Sequence, residues 1–163
     1  RPLVVFTPKS LLRHPLAVSS LQELAEGRFQ NAIAEVDSIP PDNVRRVVMC
    51  SGKVYYDLLE ARRKADNKEV AIIRIEQLYP FPEEELKVIM QDYQHVTDFV
   101  WCQEEPKNQG AWYNCQHRMK RVIPDKVYLN YVGRPASAAP AVGYMSLHLQ
   151  QQKALVEEAL TIE

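Results

Sequence analysis

Val70–Ile75 reads VAIIRI, a nearly unbroken β-branched run without the polar alternation of a strand that has one wet face. Such a strand has to be covered on both sides, which in soluble proteins means a mostly parallel sheet between two layers of helices. Two further runs have the same character, Val47–Cys50 (VVMC) and Phe99–Cys102 (FVWC). Each of the three runs into a polar or proline-containing turn and then into helical spacing. Val54, Tyr55, Leu58, Leu59 and Arg62 follow the first, and Leu86, Ile89, Met90 and Tyr93 the second. Ala111, Cys115, Met119 and Val122 follow the third. Lys126–Val132 (KVYLNYV) alternates as a fourth strand, and Met145, Leu149, Val156, Ala159 and Leu160 stripe a closing helix. Strands alternating with helices imply βαβ units.

Ahead of these units the rhythm differs. Leu3–Phe6 reads as an apolar strand, and Ser19-Ser20 as a cap for a short helix through Leu21 and Leu24 that stops at Gly27. Phe29–Asn43 has weak periodicity and carries Pro40-Pro41, so it reads as a connector. The expected division is residues 1–43, the end of a preceding domain and a linker, and 44–163, the α/β domain. An apolar strand directly behind Arg1, with no methionine, suggests a piece cut from a longer polypeptide.

Charge narrows the partners. Lys plus Arg number 20 against 21 for Asp plus Glu, which gives no electrostatic case for nucleic acid or an anionic membrane. No apolar run approaches the ~18 residues of a membrane span. Cys50, Cys102 and Cys115 have no metal-ligand spacing, and buried reduced thiols are expected.

The stretch with the most to say about function is Val100–Trp112, VWCQEEPKNQGAW. A buried strand ends in Glu104-Glu105-Pro106, turns at Asn108-Gln109-Gly110 and returns as a helix, at the sheet edge where open α/β folds meet ligands and partners. Adjacent carboxylates on an extended chain point to opposite sides, so Glu104 and Glu105 are not a paired acid and base. Asn108-Gln109-Gly110 suits either an anion at a helix start or an amide cap with a packing glycine. Trp112 and Tyr113 suit either partner anchors or core. Ser51-Gly52-Lys53 lacks the upstream glycine and the following Ser or Thr of a phosphate loop, and no GxGxxG, HExxH or GxSxG occurs. His14, His95, His117 and His148 are scattered. The residues show no self-contained active site.

Five blocks, in order, resemble one family: TPKSLLRHP (Thr7–Pro15), SGKVYYDL (Ser51–Leu58), RIEQLYPFP (Arg74–Pro82), QEEPKNQGAW (Gln103–Trp112) and GRPASAAPAVGYMSLH (Gly133–His148). They are similar to the C-terminal part of the decarboxylating first component of 2-oxoglutarate dehydrogenase complexes, in its bacterial and particularly proteobacterial branch. The resemblance implies a three-layer α/β/α fold with a mostly parallel, five-stranded mixed sheet, like the C-terminal domain of transketolases. It implies a parent enzyme that oxidatively decarboxylates 2-oxoglutarate and passes the succinyl unit to a lipoyl group, in the cytoplasm and within the tricarboxylic acid cycle. Thiamine diphosphate and Mg²⁺ are then held between two upstream domains of a homodimer, and the Gly-Asp-Gly…Asn-Asn motif for them is absent from these residues. No catalytic, cofactor or metal residue is expected in this segment. Its implied partners are the upstream domains, the second subunit and the dihydrolipoyl succinyltransferase component. Gln77, Glu104, Glu105, Asn108, Gln109 and Trp112 are the expected interface or effector residues. The alternative is a stand-alone regulatory module that takes a nucleotide or acetyl-CoA at the Gln77 and Gln109 edge, and the resemblance to actinobacterial relatives implies an acetyl-CoA activator site at the boundary between these domains that Gln77 would join. Glu84 and Glu85, however, stand where phosphate-binding arginines would be wanted.

Overall fold

The computed structural model describes residues 2–162. Its strands are β1 (Ala32–Ile33), β2 (Arg46–Cys50), β3 (Val70–Ile75), β4 (Asp98–Pro106) and β5 (Leu129–Arg134). Its helices are α1 (Leu21–Glu26), α2 (Val54–Lys64), α3 (Glu83–Met90), α4 (Trp112–Met119) and α5 (Met145–Leu160). The strands form one sheet in the order β1-β3-β2-β4-β5. β2 through β5 run parallel, and β1 is antiparallel to the end of β3.

The apolar runs produce this layering directly. β2 is buried at every position, so alternate residues feed two separate cores. Val47, Met49, Ala71, Ile73, Phe99 and Trp101 face α3 and α4. Val48, Cys50, Val70, Ile72, Val100 and Cys102 face α2 and α5. The result is the expected α/β/α sandwich with a mostly parallel five-stranded mixed sheet. All three cysteines are buried free thiols.

Helix ends follow local chemistry. Ser20 caps α1 with a complete capping box, its Oγ accepting from Glu23 N at 3.1 Å while Glu23 Oε2 accepts from Ser20 N at 2.7 Å. At the other end of the chain Arg46 closes α5. Its Nη1 donates to the carbonyls of Glu158 (3.0 Å), Ala159 (3.2 Å) and Thr161, and its Nε pairs with Asp98 at 2.5 Å. A cation among orphan carbonyls suits a helix C-terminus.

Three expectations need correction. Leu3–Phe6 forms no strand and is largely solvent-exposed, because an isolated extended segment finds no neighbouring edge for its backbone hydrogen bonds. The stretch 29–43 is not merely a connector, since it contributes β1, the fifth strand. The fourth parallel strand begins at Leu129 rather than Lys126, whose φ of +66° belongs to a turn.

Charge secures the β1 edge. The Glu35 carboxylate accepts from Ile72 N at 2.7 Å, a β3 amide beyond the end of β1, and grips the Arg62 guanidinium, with Oε1 2.7 Å from Nη2. Arg62 is 1% exposed and also donates to Val70 O and Asp37. Removing one partner of a buried pair leaves the other charge uncompensated, at about 3–5 kcal/mol. Glu35→Ala is expected near the lower end, about 3 kcal/mol, because Asp37 remains beside Arg62; urea unfolding measures it.

Asp37 adds a pH signature. The Arg63 hydrogen bond, against a smaller opposing effect of burial and with help from Arg62, holds its carboxyl at about 2, below the ordinary 3.8. A depressed folded value stabilises fully above the ordinary value and fades as the pH falls toward the folded one. Stability attributable to Asp37 is expected to disappear between about pH 3.8 and about pH 2. Unfolding free energies measured across that window should lose this component of their slope in Asp37→Asn.

Candidate functional site

The carboxyl ends of β3, β2, β4 and β5 bring together most of the residues singled out in the sequence. At their centre is one that was not, Gln103. Positions 99, 101 and 103 of β4 share a face, so this glutamine follows Phe99 and Trp101 into the core and is 2% exposed. A buried carboxamide needs its full set of partners. Gln103 Oε1 accepts from Trp101 Nε1 (2.9 Å) and from Trp112 N (3.1 Å). Gln103 Nε2 donates to the carbonyls of Glu105 (3.2 Å), Pro106 (3.2 Å) and Gln109 (2.8 Å). One side chain thus binds the end of β4, the turn and the first amide of α4.

Close approach is built into this turn. Gly110 has φ +65°, and a Cβ there would lie 3.0 Å from Gln103 Nε2 and 3.1 Å from Glu105 Oε2. Gly133, opposite Gln103 in the β4–β5 register, would place a Cβ 2.6 Å from the Gln103 carbonyl.

The expected site residues divide by role. Glu104 and Glu105 do point apart. Glu104 lies 3.2 Å from Lys53 Nζ, which also pairs with Asp57 at 3.2 Å, whereas Glu105 is exposed beside Gly110. Burial pulls the Lys53 ammonium down, but the Glu104 and Asp57 carboxylates outweigh it and raise its pKa. From Asp57 the network continues through Gln152 (2.8 Å) to the buried Arg134 (3.0 Å) and on to His148 Nδ1 (3.1 Å).

Asn108 and Gln109 act within the chain. Asn108 Nδ2 donates to Ser137 O at 3.0 Å and its Oδ1 accepts from Ser137 N at 2.9 Å; Gln109 Nε2 donates to the same carbonyl at 3.1 Å. They tether the small-residue loop after β5. Trp112 is 7% exposed, its ring 5.2 Å from that of Tyr131, so it packs into the core. Its neighbour Tyr113 is 57% exposed. Gln77 donates to Pro80 O at 2.7 Å in the loop after β3.

A cleft of about 560 Å³ opens on the α4 side, walled by Leu78, Tyr79, Glu105, Asn114, His117 and Arg118. The thiols here are poor nucleophiles. Burial, followed by the Glu104 carboxylate, pushes Cys102 up to about 12, and burial also raises Cys115. The arrangement is suited to holding surfaces in place, with a satisfied amide network beneath and exposed Tyr79, Glu105 and Tyr113 above.

The fold defines the class first. It resembles a solved split-gene transketolase in an inactive β4 tetramer, with a TM-score of 0.52, 16% identity, and coverage of 82% of this chain and 43% of that one. At that identity the likeness is one of fold. Residues 18–160 match the family described as 2-oxoglutarate dehydrogenase C-terminal, and the chain belongs to that family. The 2-oxoglutarate dehydrogenase E1 component of Haemophilus influenzae is 66% identical over 161 residues, covering 99% of this chain and 17% of the relative. That of Azotobacter vinelandii is 55% identical over 165 residues, covering 99% and 18%. The chain spans less than a fifth of the length of these relatives.

Gln103→Leu strands the Trp101 indole N–H and the Trp112 amide, each a buried donor worth roughly 1–3 kcal/mol, so a loss of about 2–6 kcal/mol is expected. Gly110→Ala, placing a side chain in left-handed backbone, is expected to cost about 1–2 kcal/mol. Urea unfolding followed by tryptophan fluorescence reads both, and equal stability of Gln103→Leu and the parent chain would contradict the keystone role.

Proposed function

We propose that the chain is the C-terminal domain of a bacterial 2-oxoglutarate dehydrogenase (succinyl-transferring), and that it serves the assembly of domains and subunits rather than the chemistry. In this reading the parent decarboxylates 2-oxoglutarate in the cytoplasm, as part of the tricarboxylic acid cycle, and succinylates a lipoyl group on the dihydrolipoyl succinyltransferase component. Thiamine diphosphate and Mg²⁺ belong to the parts of a homodimeric enzyme that precede this one. The carboxylates of this edge do not suit a metal, since Asp57 and Glu104 already close on the Lys53 ammonium. Within the proposed division the segment before residue 44 still contributes to the sheet, through β1 and the Glu35 carboxylate.

The observation that carries the assembly reading is the Gln103 turn. Its polar atoms are spent on internal bonds, which makes a rigid platform, while Glu105, Tyr79 and Tyr113 stand exposed on it. Exposed aromatics on a rigid support favour a protein contact. The effector alternative has less behind it, because Glu84 and Glu85 are exposed carboxylates that repel a phosphate.

The test places Glu105→Ala with Tyr113→Ala in the enzyme comprising this chain and its upstream domains. Dimer dissociation is followed by analytical ultracentrifugation, and turnover by 2-oxoglutarate consumption. A dimer weakened about tenfold or more, or a comparable loss of turnover, is expected. Unchanged dimerisation together with unchanged turnover would end the assembly reading. Saturable binding of AMP or acetyl-CoA near Gln77 would replace it with the regulatory one.

A further inference from the structure

On the opposite face of the sheet from the Gln103 turn, a second cleft of about 600 Å³ lies between the α1 arm and α2. Its body side carries Tyr55 and Tyr56 from the start of α2 and Arg74 and Glu76 from the end of β3, and its arm side carries Arg28 and Phe29. This volume is within the range of small-molecule sites, and the lining mixes ring faces with cations. Arg74 is held in place. Its guanidinium carbon lies 4.3 Å from the Tyr55 ring centre and 5.6 Å from that of Tyr56, and its Nε pairs with Glu76 at 3.0 Å. A stacked guanidinium with its Nε occupied is pre-organised, so little rotamer freedom remains to be lost on binding.

The charges around this cleft are unevenly committed. Arg63, a third guanidinium in the lining, makes a two-point pair with Asp37. Glu23 is turned onto the Ser20 amide. Arg28 makes no ion pair or side-chain hydrogen bond among the described residues, and it faces the same space as the fixed Arg74.

We infer that this cleft binds a small oxyanion, a carboxylate or phosphate, between Arg28 and Arg74, with Tyr56 and Phe29 packing on the carbon part of the ligand and the buried Tyr55 ring supporting Arg74 from beneath. Guanidinium groups match both oxyanions through paired N–H donors. The inference is independent of the assembly reading, which concerns the other face.

Inorganic phosphate and succinate are titrated separately into the 163-residue chain. The readouts are the side-chain N–H resonances of Arg28 and Arg74 and tyrosine fluorescence. Saturable shifts are expected with at least one probe, weakening as salt is raised. Phosphate alone would assign the phosphate class, succinate alone the carboxylate class, and both together a general oxyanion site. Arg28 is exposed and makes no ion pair or side-chain hydrogen bond among the described residues, so Arg28→Met should fold normally and weaken binding about tenfold or more. Arg45→Met, at the opposite end of β2, should leave it intact. No saturation with either probe, or an affinity unchanged by Arg28→Met, would overturn the inference.

Discussion

The carboxyl edge of this sheet depends on one satisfied amide. Gln103 occupies a position that strand geometry sends into the core, and a polar group there is tolerable only when all its donors and acceptors are used. Meeting that demand dictates the surroundings. Trp101 and Trp112 supply N–H groups, three turn carbonyls supply acceptors, and Gly110 and Gly133 keep side chains out of the way. The turn that presents Glu105 and positions Asn108 therefore has little latitude, although it is a loop.

The other edge meets its constraint with charge instead. β1 is two residues long and cannot pair the whole of β3, so the Glu35 carboxylate takes over at Ile72 and brings Arg62 with it. An ion pair of this kind gains little over apolar packing, but it satisfies a backbone donor that the short strand leaves behind. It also joins the segment before the sheet to α2. Similar economy marks Lys53, which serves two carboxylates from two different elements.

The layered architecture was legible because it rests on burial, and burial leaves a pattern. VAIIRI, VVMC and FVWC mark strands covered on both faces, and the helices between them carry apolar stripes. β1 left no such pattern. Two half-buried residues held by an antiparallel partner have no period to detect, so their stretch read as a connector. Leu3–Phe6 erred the other way, since apolar β-type residues mark a potential to pair and not a neighbour to pair with. Of the candidate site, the place was legible and the division of labour was not. Asn108 and Gln109 sit in the turn after β4, but their engagement with Ser137, 29 and 28 positions away, is a tertiary fact. Gln103 did leave a trace, as a polar residue in phase with Phe99 and Trp101, and that phase was the cue that a buried network would be needed.

The clamp at Arg46 has a consequence for how the chain becomes a domain. The first residue of β2 is the one that closes the last turn of α5, across 115 positions of sequence. Until those last carbonyls arrive, a guanidinium destined for the interior has only Asp98 for company, and the face of the sheet beneath α5 lies open to water. Contacts of such long range carry a large loop-closure cost and form late. The buried core under α3 and α4 is built from residues between Val44 and Leu129, whereas its counterpart under α2 is covered only once α5 has docked. Tying the first residue of β2 to the last turn of α5 makes the docking of that helix the event that seals the second face of the sheet.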